Sequence, residues 1–303
     1  MEAAVVALRF LQFAAAVVLF GAPLFLLYGL KTPVRDALPW PRPLAVVAGL
    51  ALFAGAGAGL LAQTAVMAGD PSAALDGALL MSVGAETPFG LAALARALAA
   101  MAALLLLLFM APGGRLWWAL SVLGAAAVAS LAWSGHGAAT EGPGRLVHLV
   151  ADILHLLAAG VWIGALVVFA FLLRAKPFST AQAQALHGAL AGFSGVGSAV
   201  VATLLLTGLV NGWFLVGPQG LGRLTTTGWG VLMLAKLAVF AAMLALAAVN
   251  RFRLTPALAA GAAAGDAAAL MGLRRSIALE TAAAVLVLAL VAALGTLAPP
   301  AAA

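Results

Sequence analysis

Three of the four histidines lie close together in the chain, at positions 136, 148 and 155, and an aspartate lies among them. His148, Asp152 and His155 have the spacing i, i+4 and i+7, which places their side chains on one face of a helix. Imidazole is a common metal ligand, and a carboxylate can be a further ligand or can fix the imidazole tautomer. The pattern favours a metal site or a proton site formed by His136, His148, His155 and Asp152.

The composition requires membrane helices to carry this site. The 303 residues are 65% hydrophobic and 8% charged, and the mean hydropathy is +1.17, so the apolar surface exceeds what a soluble core can bury. The strict alternation of apolar and polar residues that a lipid-facing barrel needs is absent. Because the chain has no cysteine, a soft metal would have to be held by histidine or methionine.

The hydropathy pattern predicts an all-α, polytopic transmembrane bundle of eight helices that forms a single membrane domain over residues 1–303, with no fused soluble domain. About 20 apolar residues cross a bilayer core of about 30 Å. The predicted spans are 4–28, 44–67, 89–110, 116–133, 147–173, 190–215, 228–249 and 277–297.

The distribution of basic residues predicts the orientation. With the N-terminus outside, the inward loops hold ten lysines and arginines and the outward loops hold only Arg145 and Arg223. By the positive-inside rule, both termini and the loop of His136 then lie on the periplasmic side of a bacterial inner membrane. This topology also accounts for the net charge of +6, so no nucleic-acid partner is expected.

The two halves of the chain resemble each other weakly. Thr87-Pro88-Phe89-Gly90, followed by Arg96, matches Thr227-Gly228-Trp229-Gly230, followed by Lys236. A shift of 143 residues overlays two further pairs, Gln12 on His155 and Thr64 on Thr207. Four spans in each half predict two parallel repeats, 1–140 and 141–303, related by an axis along the membrane normal. The alternative is chance similarity in a chain rich in alanine, leucine and glycine.

Further polar or soft side chains are candidates for a supporting or pathway role: Trp162, Arg96, Lys236, Asn211, Met233 and Glu280. Arg96 and Lys236 each lie about 10–12 Å inside a predicted helix. They either snorkel to the interface or pair with Asp152 or an anionic group. Met233 is either a thioether ligand for cuprous ion or a packing residue. Glu280 is either an inner gate or a helix-end charge.

Each histidine taken alone also has a simpler interpretation. His136 and His148 would be interfacial residues near a loop, and His155 would hydrogen-bond a neighbouring helix. Their grouping favours a functional site, because ionisable residues inside a membrane are costly and usually face a cavity or one another.

Several stretches carry a resemblance to a known family: Ser134-Gly135-His136, the run from Asp152 to Gly164, Phe193-Ser194, Thr207-Gly208 to Asn211, Thr227 to Gly230 with Lys236, Asn250-Arg251, and Glu280. They resemble the CopD family of bacterial copper-resistance inner-membrane proteins. Ala165 departs from the pattern, since a second glycine is expected there, and only helix packing is affected. The resemblance implies an eight-helix protein that handles copper ions at the periplasmic face and passes them inward. It also implies a periplasmic copper-binding protein as a separate partner.

Three functions fit these observations. In the first, copper is held by the histidines with Asp152 and is then imported. In the second, paired histidines on neighbouring helices bind haem in a redox subunit, although no intramembrane histidine is predicted in the inner half. In the third, the protein docks a periplasmic copper carrier without transport. No nucleophile, base and oxyanion arrangement indicates an enzyme, and neither the copper oxidation state nor the oligomeric state follows from the sequence.

Overall fold

The computed structural model describes residues 2–135, 137–138, 140–174, 180–262 and 267–302. The described residues are mostly helical and contain no strand. The helices are α1 (Glu2–Tyr28), α2 (Thr32–Asp36), α3 (Pro41–Ala68), α4 (Gly77–Glu86), α5 (Pro88–Phe109), α6 (Gly114–Ser130), α7 (Arg145–Leu172), α8 (Thr180–Leu215), α9 (Gly228–Val249), α10 (Thr255–Ala262) and α11 (Ala267–Leu294). A π-helical turn, Asn250–Leu254, joins α9 to α10.

The prediction of eight membrane spans is confirmed. In the described part of the chain, eight helices are long and apolar enough to cross a bilayer: α1, α3, α5, α6, α7, α8, α9 and α11. Two boundaries were predicted wrongly. Helix α8 begins at Thr180 rather than near residue 190, and α11 begins at Ala267 rather than near residue 277. Polar residues lower the hydropathy of both stretches, but a helix can extend beyond the apolar core into the interface.

The two segments matched between the halves have the same local structure. Thr87 and Thr227 are each extended and cap the following helix, and their hydroxyls accept from the amides of Gly90 at 3.0 Å and Gly230 at 3.1 Å. Such caps satisfy amide groups that a helix start leaves without partners. The common cap is a physical reason for the matched Thr-x-x-Gly pattern. The repeats 1–140 and 141–303 stay a prediction.

Helices α1 and α7 cross at the centre of the bundle with their backbones in contact. A Cβ atom added to Gly21 would lie 2.9 Å from the Cα of Gly164 and would also overlap the carbonyl of Gly160. Small residues permit this close approach between membrane helices. Inside a bilayer, helix association is driven by van der Waals packing rather than by the hydrophobic effect. Helices α3 and α6 pack on α1, and α8 and α11 pack on α7.

Both chain ends lie at one end of the bundle. The Nε of Arg9, near the start of α1, donates to the carbonyl of Ala292, near the end of α11, at 3.1 Å. We call this end the terminal end and the other the opposite end. The connections between α6 and α7 and between α8 and α9 therefore lie at the terminal end.

Candidate metal site on helix α7

His148 is fixed where α7 enters the bundle at the terminal end. Its side chain is only 1% exposed. Its Nδ1 lies 2.6 Å from the Oγ1 of Thr140, and its ring stacks on Phe214 with centroids 4.8 Å apart and planes at 9°. Phe214 also fills the space beside Gly144, where an added Cβ would lie 2.5 Å from its ring. The connection to α7 and helix α8 therefore hold the imidazole from two sides.

His155, two turns further along α7, has one ring nitrogen available as a ligand. Its Nδ1 lies 2.9 Å from the Oγ1 of Thr207 on α8. Thr207 donates its single hydroxyl proton to the carbonyl of Thr203 at 2.6 Å, so its oxygen accepts from the Nδ1–H of His155. In that tautomer Nε2 carries a lone pair rather than a proton, as a ligating imidazole nitrogen must.

The ring of His155 faces α8 rather than lipid. A Cβ added to Gly208 would lie 3.7 Å from its Cε1, so a glycine provides the surface on which the ring rests. An imidazole inside a membrane protein is costly unless it faces a partner or a cavity. The hydrogen bond between His155 and Thr207 on α8 agrees with the simpler interpretation of this histidine. The tautomer that this hydrogen bond selects also suits metal binding.

Asp152 lies between the two histidines and meets groups from three other parts of the chain. Asn211 Nδ2 donates to Asp152 Oδ1 at 3.4 Å, and the Oδ1 of Asn211 is buried without a hydrogen-bond partner among the described residues. A Cβ added to Gly137 would lie 2.5 Å from the other carboxylate oxygen. Lys236 on α9 interacts electrostatically with Asp152 and with His155, but the described part of the chain has no ion pair between Lys236 and Asp152 within 4.0 Å.

The described residues do not bring three metal ligands to one point. No group of three histidine, aspartate or glutamate side chains that could hold an ion occurs in the ranges given above. His148 and His155 are separated along the helix axis by about 10.5 Å, and each is bound to a different threonine. His136 lies outside the described residues, so its part in the site stays a prediction.

Two of the predicted pathway residues meet deeper in the bundle. Trp162 Nε1 donates to Glu280 Oε1 at 2.8 Å, and Asn250 Nδ2 donates to Glu280 Oε2 at 2.7 Å. Glu280 is 2% exposed, so it is a buried carboxyl group rather than a charge at an exposed helix end. The side-chain oxygens of Asn250 and Ser276 are buried without partners among the described residues.

The other two supporting residues lie elsewhere. Arg96 contacts Gln12, Ser130 and Ser134 in the first half of the chain, and it forms no ion pair with Asp152 within the described ranges. Met233 packs against the apolar cluster of Val216, Trp229 and Leu294. These contacts give Met233 an apolar environment.

Sequence reasoning missed two partners of the site, Thr140 and Phe214. Thr140 contacts His148 from the connection before α7, and Phe214 contacts it from α8. Neither residue has a helical spacing from His148 that would reveal the contact in the sequence. Thr207 and Asn211 carried a usable signal, because their i, i+4 spacing places them on one face of α8.

The fold and these buried groups define a class of protein: a polytopic α-helical membrane protein with ionisable side chains at successive depths inside its bundle. Residues 1–146 match the family model for the copper resistance protein D-like N-terminal domain, and residues 187–294 match the model for copper resistance protein D. The chain belongs to the copper resistance protein D family. Asp152, His155 and Trp162 lie in the segment between the two matched ranges.

Three relatives give the extent of the similarity. The chain is 42% identical over 303 residues to Copper resistance protein D of Pseudomonas syringae pv. tomato, covering 97% of this chain and 96% of that protein. It is 29% identical over 119 residues to Copper transport protein CutJ of Bacillus subtilis, covering 39% and 21%. It is 32% identical over 127 residues to Inner membrane protein YebZ of Escherichia coli, covering 42% and 42%. No solved structure matches the chain.

Proposed function

We propose that this protein binds copper at the terminal end of its bundle and passes it along α7 across the inner membrane into the cytoplasm. The observation that carries the proposal is the succession of polar groups along α7, from His148 through Asp152 and His155 to Trp162 with Glu280. They extend over about 21 Å of helix axis. Polar groups at such depths are costly and mark pathways in membrane proteins. The names of the relatives from Pseudomonas and Bacillus support copper as the substrate.

In this proposal, His155 is the principal ligand, through its Nε2. Asp152 contributes negative charge, and the side-chain oxygen of Asn211 is a further, neutral ligand atom. Lys236 offsets the charge of Asp152 while no copper is present. Because a bound copper ion must compete with this fixed cation, the site releases its ion more readily than a purely anionic site. Fast release is what a transfer pathway requires.

The orientation and the partner belong to the same proposal. The loops of the opposite end carry most of the basic residues, which supports a cytoplasmic location for that end and periplasmic termini. Copper would then reach His148 first, delivered by a separate periplasmic copper-binding protein. His136 follows the described residues Ser134 and Gly135 in the α6–α7 connection, and we propose that it completes the entry position.

Glu280 is the proposed exit position. Its carboxylate accepts from Trp162 and Asn250, and the described residues provide no cation within ion-pair distance. A carboxylate without a fixed counter-charge is a position where an arriving cation is stabilised. Trp162 lies between this carboxylate and the polar groups nearer the terminal end, so its indole is the proposed gate between the two positions.

The haem alternative has less support. Axial ligation needs two imidazoles that face each other, typically from different helices. His148 and His155 project from the same helix and are engaged with two different threonines. His187, the remaining histidine of the described residues, lies on α8 near the opposite end.

The test is copper binding and copper uptake by the purified full chain. Copper stoichiometry is measured in detergent, and uptake is measured in proteoliposomes, for the wild type, His155→Ala and the control His187→Ala. We expect His155→Ala to lose bound copper and uptake by roughly tenfold or more, and His187→Ala to retain both. Equal binding by the wild type and His155→Ala would contradict the site. Wild-type binding without any uptake would instead favour a docking role.

A further inference from the structure

A second buried polar cluster lies in the first half of the chain, away from Asp152 and His155. It consists of Arg9, Gln12, Arg96, Ser130 and Ser134, and we call it the arginine cluster. Arg96 is 1% exposed and donates to the Oε1 of Gln12, to the Oγ and carbonyl of Ser130 at 3.1 and 3.2 Å, and to the Oγ of Ser134 at 2.9 Å. Arg9 donates to the carbonyls of Ala292 and Ser134.

The two guanidinium groups have no negative partner among the described residues. Every acceptor just named is a neutral hydroxyl, amide or carbonyl oxygen, and no carboxylate lies within 4.0 Å of either arginine in the described part of the chain. The charge of Arg9 acts unfavourably on Arg96. Arg96 is buried and Arg9 is partly buried, and two like charges held there without a counter-ion are costly, because no opposite charge offsets their desolvation.

A small cavity borders the arginine cluster. Its volume is about 20 Å³, and its polar lining is formed by Arg9, Gln12, Gln63 and Ser134 between apolar walls that include Phe13. The Nη2 of Arg9 donates no hydrogen bond to the described residues and lies against Gly295, where an added Cβ would overlap it. This volume accepts one particle near the size of a water molecule.

We propose that the arginine cluster binds one small monovalent anion of the chloride class in this cavity. The anion offsets the two guanidinium charges and accepts from Arg9, which lines the cavity. The shift of 143 residues that overlays Gln12 on His155 also overlays Arg9 on Asp152. At corresponding positions, one half therefore carries groups that attract a cation and the other carries groups that attract an anion. The site does not depend on the proposed copper function.

The experiment is equilibrium dialysis of radioactive chloride against the purified full chain in detergent, with gluconate keeping the ionic strength constant. We expect saturable binding of about one chloride per chain in the wild type and binding weaker by roughly tenfold or more in Arg9→Gln. Arg42→Gln is the matched control. Arg42 also donates to main-chain carbonyls, those of Met110 at 2.9 Å and of Leu107, but it does not line the cavity.

Two further measurements keep the test decisive if Arg9→Gln is poorly folded. Bromide, which has the same charge as chloride and nearly the same size, should displace it from the wild type. The wild type should also melt at a higher temperature in chloride than in gluconate, since a ligand that binds only the folded state stabilises it. Absence of saturable chloride binding by the wild type, undiminished binding by a folded Arg9→Gln, or failure of bromide to displace chloride would each overturn the proposal.

Discussion

Replacement of Thr207 by valine tests the role of the hydroxyl that selects the tautomer of His155. Valine has nearly the same shape as threonine, so packing between α7 and α8 should be preserved. The change removes the oxygen that lies 2.9 Å from the Nδ1 of His155. The Nδ1–H then loses its threonine acceptor in a partly buried position, and the tautomer with its lone pair on Nε2 is no longer favoured.

The expected size of the effect follows from this lost hydrogen bond. A buried donor left without its partner costs about 1–3 kcal/mol. Loss of a group that orients a ligating histidine typically weakens metal binding by about 10–100-fold, which corresponds to about 1.4–2.8 kcal/mol. The two ranges agree, so we expect Thr207→Val to weaken copper binding by about 10–100-fold.

The assay is a competition titration of copper between the purified protein and a coloured chelator, with monodispersity checked by gel filtration. Thr203→Val is the matched control, because Thr203 lies one turn away on α8 and its hydroxyl donates only to the Ala199 carbonyl, at 2.9 Å. Thr207→Ser keeps the hydroxyl and should restore most of the affinity. If Thr207→Val binds copper as the wild type does, or if Thr203→Val loses as much affinity, the assigned role of Thr207 is wrong.

Three further predictions concern orientation, packing and the exit position. A phosphatase reporter fused to the C-terminus should be active in the periplasm, and a cytoplasmic signal there would refute the orientation. Gly164→Leu should prevent the α1–α7 contact and abolish monodisperse protein, whereas Gly57→Leu should be tolerated because nothing lies within 4 Å of an added Cβ; equal yields would contradict the packing argument. Glu280→Gln should slow copper uptake into proteoliposomes by roughly tenfold while copper affinity at His155 stays unchanged, and an unaltered uptake rate would remove Glu280 from the path.

The number and positions of the membrane helices could be predicted because hydropathy acts over whole segments. A run of about 20 apolar residues has few alternatives to a membrane-spanning helix. The boundaries of α8 and α11 could not be predicted equally well. The early part of each helix contains polar residues, Gln182 and Gln184 in α8 and Arg274 and Arg275 in α11, and helix propensity does not require a residue to lie in the apolar core.

The candidate site could be predicted in part, since helical spacing relates residues only within one helix. The i, i+4, i+7 pattern identified the face of α7 that carries His148, Asp152 and His155. Contacts between helices depend on packing, which spacing does not encode. The contacts of Arg96 with Ser130 and Ser134, and the contact of Trp162 with Glu280, therefore became visible only in the folded chain.

The glycine contact between α1 and α7 restricts how the two halves of the bundle can move relative to each other. At Gly21 and Gly164 the backbones already touch, and no side chain is present there that could change rotamer to absorb a displacement. If the crossing angle of α1 and α7 changes, the two helices must therefore rotate about this fixed contact. Separation of α1 and α7 at the terminal end would bring them together at the opposite end, so the two ends of the bundle could not widen at the same time.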